Sequence, residues 1–183
     1  MTSLLRLQQV ALWRGGRLLF DGLDLALASG QALQIVGPNG SGKSSLIRLA
    51  AGLLRPESGS VERSKLALAD DNLALDRELP LRRALQFWGG ATDEAMEALG
   101  LAHLAQVPVR LLSSGQAKRA TLARVAASGA PLWLLDEPLN ALDAEGADRL
   151  SAIVAQHLLN GGAVLAASHQ KLAGDWRVLE LGA

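Results

Sequence analysis

The sequence predicts an α/β chain: a mostly parallel central sheet flanked by helices, with an antiparallel β-region at the N-terminus and a small helical subdomain. Three observations predict it. The short apolar runs ALQIV (32–36), LWLL (132–135) and AVLAA (163–167) read as strands buried on both faces. Segments with helical spacing alternate with these runs, the pattern of a parallel sheet covered on both sides. A glycine-rich turn, GPNGSGK at 37–43, joins the first buried strand to the first helix.

Along the chain, LLRLQQVAL and RLLFDGLDLAL alternate apolar and polar residues as half-exposed strands do, with Gly15-Gly16 and Ser29-Gly30 as turns. From Lys43 a helix is expected through KSSLIRLAAGLL, ended by Gly52 and by Arg55, which precedes a proline and so disfavours the helical region. SVERSKLALAD reads as two further short strands. Residues 73–111 differ: LPLRRALQFWGG and TDEAMEALGLAHLA have helical spacing, with Thr92 or Asp93 as the N-cap. With the segment that follows they form a helical subdomain of about 73–124 within one domain spanning 1–183. PLWLLDEP is the second buried strand. NALDAEGADRLSAIVAQHLLNGG is a helix closed by Asn160-Gly161-Gly162. AVLAASH is the third buried strand and WRVLELG the last.

Bulk properties narrow the chemistry. The 183 residues are 49% apolar, enough for one domain core. With 18 basic and 18 acidic residues the net charge is zero, which argues against a broad nucleic-acid footprint, so no nucleic-acid partner is expected. Without cysteine there is no disulfide, thiolate metal site or cysteine nucleophile. His103, His157 and His169 are far apart in sequence, against a histidine metal cluster. No apolar run reaches the roughly 18 residues a membrane span needs. The N-terminus lacks the basic-then-apolar layout of a signal peptide, so a cytosolic location is expected.

Three motifs carry chemistry. Gly37, Pro38, Asn39, Gly40, Ser41, Gly42, Lys43 and Ser44 spell G-x-x-x-x-G-K-S between a strand and a helix, with Ser45 next. Such a loop aims backbone N–H groups at anionic oxygens, the helix N-terminus adds partial positive charge, and Lys43 a full one. Ser44 can offer its hydroxyl to Mg²⁺. LWLLDEP ends an apolar strand in adjacent acids: Asp136 is suited to Mg²⁺, Glu137 to polarising a water as general base. Third, Ser113 and Gln116 within Leu112-Ser113-Ser114-Gly115-Gln116 have capping-box spacing, which a well-capped helix explains by itself.

The phosphate loop, LSSGQAKRATLAR, LWLLDEP, NALD at 140–143 and then His169, in that order over nearly the whole chain, resemble the ATP-binding-cassette (ABC) ATPases. The resemblance implies a P-loop fold and ATP hydrolysis with Mg²⁺. Lys43, Ser44 and Asp136 would hold Mg-ATP, Glu137 would be the catalytic base, and His169 would contact the γ-phosphate. Ser113 and Gly115 would act in trans on ATP held by a second copy, and Asp143 would line the seam between the two copies.

Two positions depart from that pattern. The family's usual metal-touching glutamine is missing, and alignment puts Asn72 in its place, one methylene shorter. The family often stacks adenine on an aromatic residue; here Trp13 can stack, or Arg14 can cover the base with its planar guanidinium. The short length, LPLRRALQFW, the Ala-Lys-Arg after the signature and the tryptophan in LWLLDEP are similar to the ATP-binding subunit of the haem-exporter-like complex of cytochrome c maturation. That implies a peripheral subunit on the cytoplasmic face of a bacterial inner membrane, with small multi-span membrane proteins as partners. An exposed part of Leu79, Leu81, Leu85, Phe87 and Trp88 would be the docking surface, unless all five belong to the core. The alternatives are an ATPase serving an unrelated importer or exporter, or a soluble mechanical ATPase; the latter usually has a long coiled-coil insertion or two fused cassettes.

Overall fold

In the computed structural model, which describes residues 2–182, the chain runs β1 (Ser3–Arg14), β2 (Arg17–Ala28), β3 (Ala32–Val36), α1 (Lys43–Ala50), β4 (Ser58–Arg63), β5 (Leu66–Ala69), α2 (Leu81–Gln86), α3 (Thr92–Ala98), two 3-10 turns, α4 (Ser114–Ala127), β6 (Leu132–Asp136), α5 (Ala144–Leu159), β7 (Ala163–Ala167) and β8 (Arg177–Glu180). β1 lies between β2 and β4 in an antiparallel sheet, and a parallel sheet has the order β5-β6-β7-β3-β8.

Every residue of β6 and β7 is buried, which is why their sequences lack alternation. The two-residue period survives in what each side chain meets. Leu132 and Leu134 pack with β1, β2, β3 and α1, while Trp133 and Leu135 pack with α4, α5 and the helical subdomain. The parallel sheet is thus the partition between two apolar layers.

Three local expectations shift. α1 ends at Ala50, four residues early, because Gly52 takes a positive φ of 78° immediately after the cap. Neither Thr92 nor Asp93 caps α3: the helix starts after Ala91 without a side-chain cap, Thr92 is buried as the first helical residue, and Asp93 instead pairs with Arg82 at 2.9 Å. Tertiary packing there overrides capping preference. α5 begins at Ala144 rather than within NALD, because Asp143 accepts the Gly146 N–H at 2.8 Å and fixes the start.

The C-terminal end of α5 is tied to the start of β6. The His157 imidazole stacks on Trp133, with centroids 3.8 Å apart and planes 11° from parallel, and its Nε2 lies 3.2 Å from the Pro131 carbonyl. A Cβ on Gly162 would fall 2.2 Å from His157 Nε2, so glycine is required there for close approach. Burial lowers the His157 pKa, opposed by its backbone hydrogen bonds. Since the folded-state pKa lies below the unfolded one, His157's contribution to stability is fully present above the ordinary imidazole range near pH 6.5 and is lost as pH falls through the folded value. Thermal stability of the wild type should fall with acidification below about pH 6.5, and His157→Gln should flatten that dependence while lowering stability at neutral pH.

Candidate functional site

β3 runs into the glycine-rich loop and α1 leaves it, so the loop sits at the C-terminal edge of the parallel sheet. A Cβ on Gly37 would lie 2.3 Å from the Leu181 carbonyl oxygen, so the segment after β8 presses on the loop too closely for any side chain. α1 has no acidic residue in its first turn, leaving its N-terminal N–H groups free to favour an anion. Loop and helix border an open cavity of about 450 Å³ that includes Arg14, Asn39, Lys43, Ser44, Ser45 and Glu137 among its walls. A cavity of about 530 Å³ also exists, lined by Trp133, Ile153 and His157, but the phosphate loop, Asp136, Glu137 and His169 do not line it.

Lys43 is buried along its length, and its ammonium donates to the Gly37 and Pro38 carbonyls at 2.8 and 3.0 Å, which holds it over the loop. The Ser44 hydroxyl donates to Asp136 Oδ1 at 2.9 Å, joining α1 to the end of β6 across 92 residues of sequence. Burial raises the Asp136 pKa above the usual carboxylate range; Asp71 and Glu137 push the same way, and the Ser44 hydrogen bond opposes them. Lys118 of α4 donates to the Asp136 backbone oxygen at 3.3 Å, and its pKa is lowered by burial despite the surrounding carboxylates.

Glu137 leaves the strand at φ 45°, a left-handed conformation that is costly for a residue with a side chain. Its backbone N–H is secured to the Ala167 carbonyl at 2.8 Å. Its carboxylate then meets His169, with Oε2 at 2.8 Å from Nδ1. Acid and imidazole, 32 residues apart in sequence, form one hydrogen-bonded pair at the rim of the loop cavity.

The other expected residues fall into three groups. Arg14 lines the cavity; Trp13 is 54% exposed and does not, so strand direction favours the guanidinium for covering a base. Ser113 and Gln116 form the full capping box of α4: Gln116 N–H donates to Ser113 Oγ at 3.3 Å and Ser113 N–H to Gln116 Oε1 at 2.9 Å. Leu112, Ser114 and Gly115 accompany them, and a Cβ on Gly115 would lie 2.8 Å from the Ala141 oxygen. None of the five lines the loop cavity of its own chain. Asn72 is also elsewhere. Its N–H and side-chain amide both donate to Asp70, at 2.9 and 3.1 Å, so the shorter amide is spent inside its own turn. Arg17 was not anticipated: its guanidinium donates to the Gly40 carbonyl at 2.7 Å and braces the loop from the β1–β2 hairpin. Its only sequence signal is the position beside Gly15-Gly16, which says nothing about which loop it reaches.

A family model described as ABC transporter matches residues 20–140. The cytochrome c biogenesis ATP-binding export protein CcmA of Sphingopyxis alaskensis is 58% identical over 181 residues, covering 94% of this chain and 93% of its own. Its namesake in Novosphingobium aromaticivorans is 54% identical over 167 residues, covering 90% and 87%. Among solved structures, an ATP-binding subunit of an ABC transporter matches with a TM-score of 0.86 at 18% identity, covering 98% of this chain and 88% of its own. A nucleotide-free ATP-binding cassette matches at 0.80 and 19%, with the same coverages. These two share the fold.

Lys43→Ala removes the ammonium from a loop whose backbone stays intact. Affinity for a nucleoside triphosphate, measured by calorimetry, should fall at least about tenfold, with thermal stability changed much less.

Proposed function

The chain belongs to the ABC transporter family, and from that premise we propose that it is the ATP-hydrolysing subunit of a membrane complex for c-type cytochrome biogenesis. It is an ATP-binding subunit of the ABC type, and its reaction is hydrolysis of ATP to ADP and phosphate. The observation that carries the residue roles is the Glu137–His169 pair at 2.8 Å, beside the loop that holds Lys43 and the Ser44–Asp136 pair.

In this reading Lys43 and the loop N–H groups bind the β- and γ-phosphates. Glu137 Oε2 takes a proton from the water whose oxygen attacks the γ-phosphorus as the bond to the ADP oxygen breaks. His169 orients the Glu137 carboxylate and the water. The Ser44 hydroxyl and Asp136 carboxylate bring two oxygen donors together, the chemistry a hard divalent cation needs, and Mg²⁺ would be held there. When bound, the ion neutralises charge on the phosphate oxygens. Arg14 covers the adenine face. Asn72 would reach the metal only by giving up Asp70.

Each chain contains half of two sites. Ser113 and Gly115 stand at the N-terminus of the 14-residue α4, away from the chain's own loop cavity. They complete the site of a second copy in a head-to-tail pair that sandwiches two ATP molecules, with Asp143 at the seam.

The five apolar residues of the helical subdomain divide. Leu81 and Leu85 are core, and Leu79 is partly buried against it. Phe87 is 83% exposed and Trp88 47%, edge to face at 5.7 Å. Beside them a small apolar cavity of about 290 Å³ is walled by Leu75, Leu79 and Ala84. This patch is the docking surface for small multi-span membrane subunits on the cytoplasmic side of a bacterial inner membrane. No helix of the described residues is long and apolar enough to cross a membrane, which suits a peripheral subunit.

Glu137→Gln should keep ATP affinity and lower kcat by about a hundredfold or more, since the proton acceptor is lost and the binding loop is untouched. Tagged, expressed in a host making c-type cytochromes and extracted from membranes with Mg-ATP, it should bring down multi-span proteins and haem-handling proteins. Recovery with a different permease would keep the ATPase and discard the cytochrome assignment. Recovery in the soluble fraction with ribosomal or chromosomal proteins would overturn the membrane role.

A further inference from the structure

β3 has one polar residue inside its buried run. Gln34 is 3% exposed, and ALQIV would be an uninterrupted apolar strand without it. Burying a primary amide is unfavourable unless its groups are paired. All of Gln34's partners lie in one short segment more than 130 residues away. Its Nε2 donates to the Gln170 carbonyl at 2.7 Å and, at the 3.4 Å limit, to the Ser168 carbonyl. Its Oε1 accepts the Leu172 N–H at 3.2 Å. Two carbonyls and one N–H around the amide also fix which end is nitrogen.

These partners bracket His169. The segment after β7 has no regular secondary structure, so its backbone groups depend on other partners. Ser168 N–H donates to Ile35 O at 3.2 Å, and Ser168 Oγ accepts the Gln170 N–H at 3.1 Å. Leu172 is buried and anchors the far end. Gln34 thus spans the turn from 168 to 172 as a clamp and leaves the His169 side chain, 53% exposed, to face Glu137. The strand that holds the clamp continues through Ile35 and Val36 into the phosphate loop. One strand therefore sets both the loop that grips the phosphates and the turn that presents the imidazole.

We propose that Gln34 is a positioning residue for hydrolysis, acting through His169 to set the distance between the Glu137–His169 pair and the phosphate loop. The proposal rests on the role given to His169 above. A glutamine present only to fill the core would affect stability alone; a positioning residue affects turnover and needs His169 in place to do so.

The test is a double-mutant cycle in the full-length chain, with ATP turnover measured under saturating Mg-ATP and thermal unfolding followed alongside. Gln34→Leu keeps the volume and removes every hydrogen bond; Gln34→Asn keeps the amide one methylene short and serves should the leucine variant fold poorly. Either should lower kcat about tenfold or more with the ATP KM changed less than about twofold, because phosphate binding is untouched. In a His169→Ala background the same substitution should change kcat less than about twofold. Backbone amide exchange should rise at 169–172 and not in α1. Undiminished kcat with unchanged exchange at 169–172 would overturn the proposal, as would a full multiplicative loss in the His169→Ala background, which signals general damage. If His169→Ala itself turns over like wild type, the role given to His169 falls instead, and the clamp with it as a catalytic device.

Discussion

The site depends on the register of three parallel strands. Asp136 pairs with Ala167 across β6 and β7, and Ile35 pairs with Ala167 across β7 and β3. These pairings bring the ends of three strands to one edge, so the acids, the histidine turn and the phosphate loop emerge side by side. A slip of one residue in β6 would turn Asp136 to the opposite face and move Glu137 away from the Ala167 carbonyl that anchors it. The register is enforced by the packing of β6 and β7, whose alternate side chains fill two different apolar layers and cannot exchange places.

Given that register, charge organises the rest. Asp136 sits in a buried, carboxylate-rich corner with Asp71 and Glu137 nearby, and burial keeps its proton affinity high. The local answers are the Ser44 hydroxyl and the Lys118 ammonium on the backbone oxygen, one from each side of the sheet. Such a corner is unfavourable as it stands and becomes favourable with a cation, which is the sense in which the residues suit Mg²⁺. The left-handed Glu137 is a second local cost, held by its N–H on the Ala167 carbonyl, by the Asn140 N–H on its own carbonyl and by the His169 imidazole. On the far side, α4 connects to the subdomain through Arg124, whose buried guanidinium donates to the Leu68 carbonyl at 2.6 Å and lies 4.9 Å from the Trp88 ring. Trp88 is therefore exposed and fixed at once.

Thr92, Asn72 and the Trp13–Arg14 pair are places where local sequence does not settle what a side chain does, and they share a cause. Thr92 has the right chemistry and spacing for a cap, yet burial against the subdomain core outweighs one cap hydrogen bond. Asn72 aligns with a metal-touching position, yet a carboxylate two residues away captures its amide first. Trp13 and Arg14 are neighbours in sequence and only the direction of β1 at the hairpin separates them. Each depends on a competitor or an orientation that propensity does not encode.

The sequence by itself determined the buried strands, the phosphate loop with its flanking strand and helix, the acids that end β6, and the capping box of α4. All are contiguous, so covalent spacing and side-chain type are enough to specify them. Only the tertiary structure decided that Ser44 meets Asp136, that Glu137 meets His169, that Arg17 braces Gly40, and that a glutamine in the middle of an apolar strand clamps the turn around His169. Those pairs are 23 to 136 residues apart, and their meeting is set by strand order and register, which local periodicity does not contain.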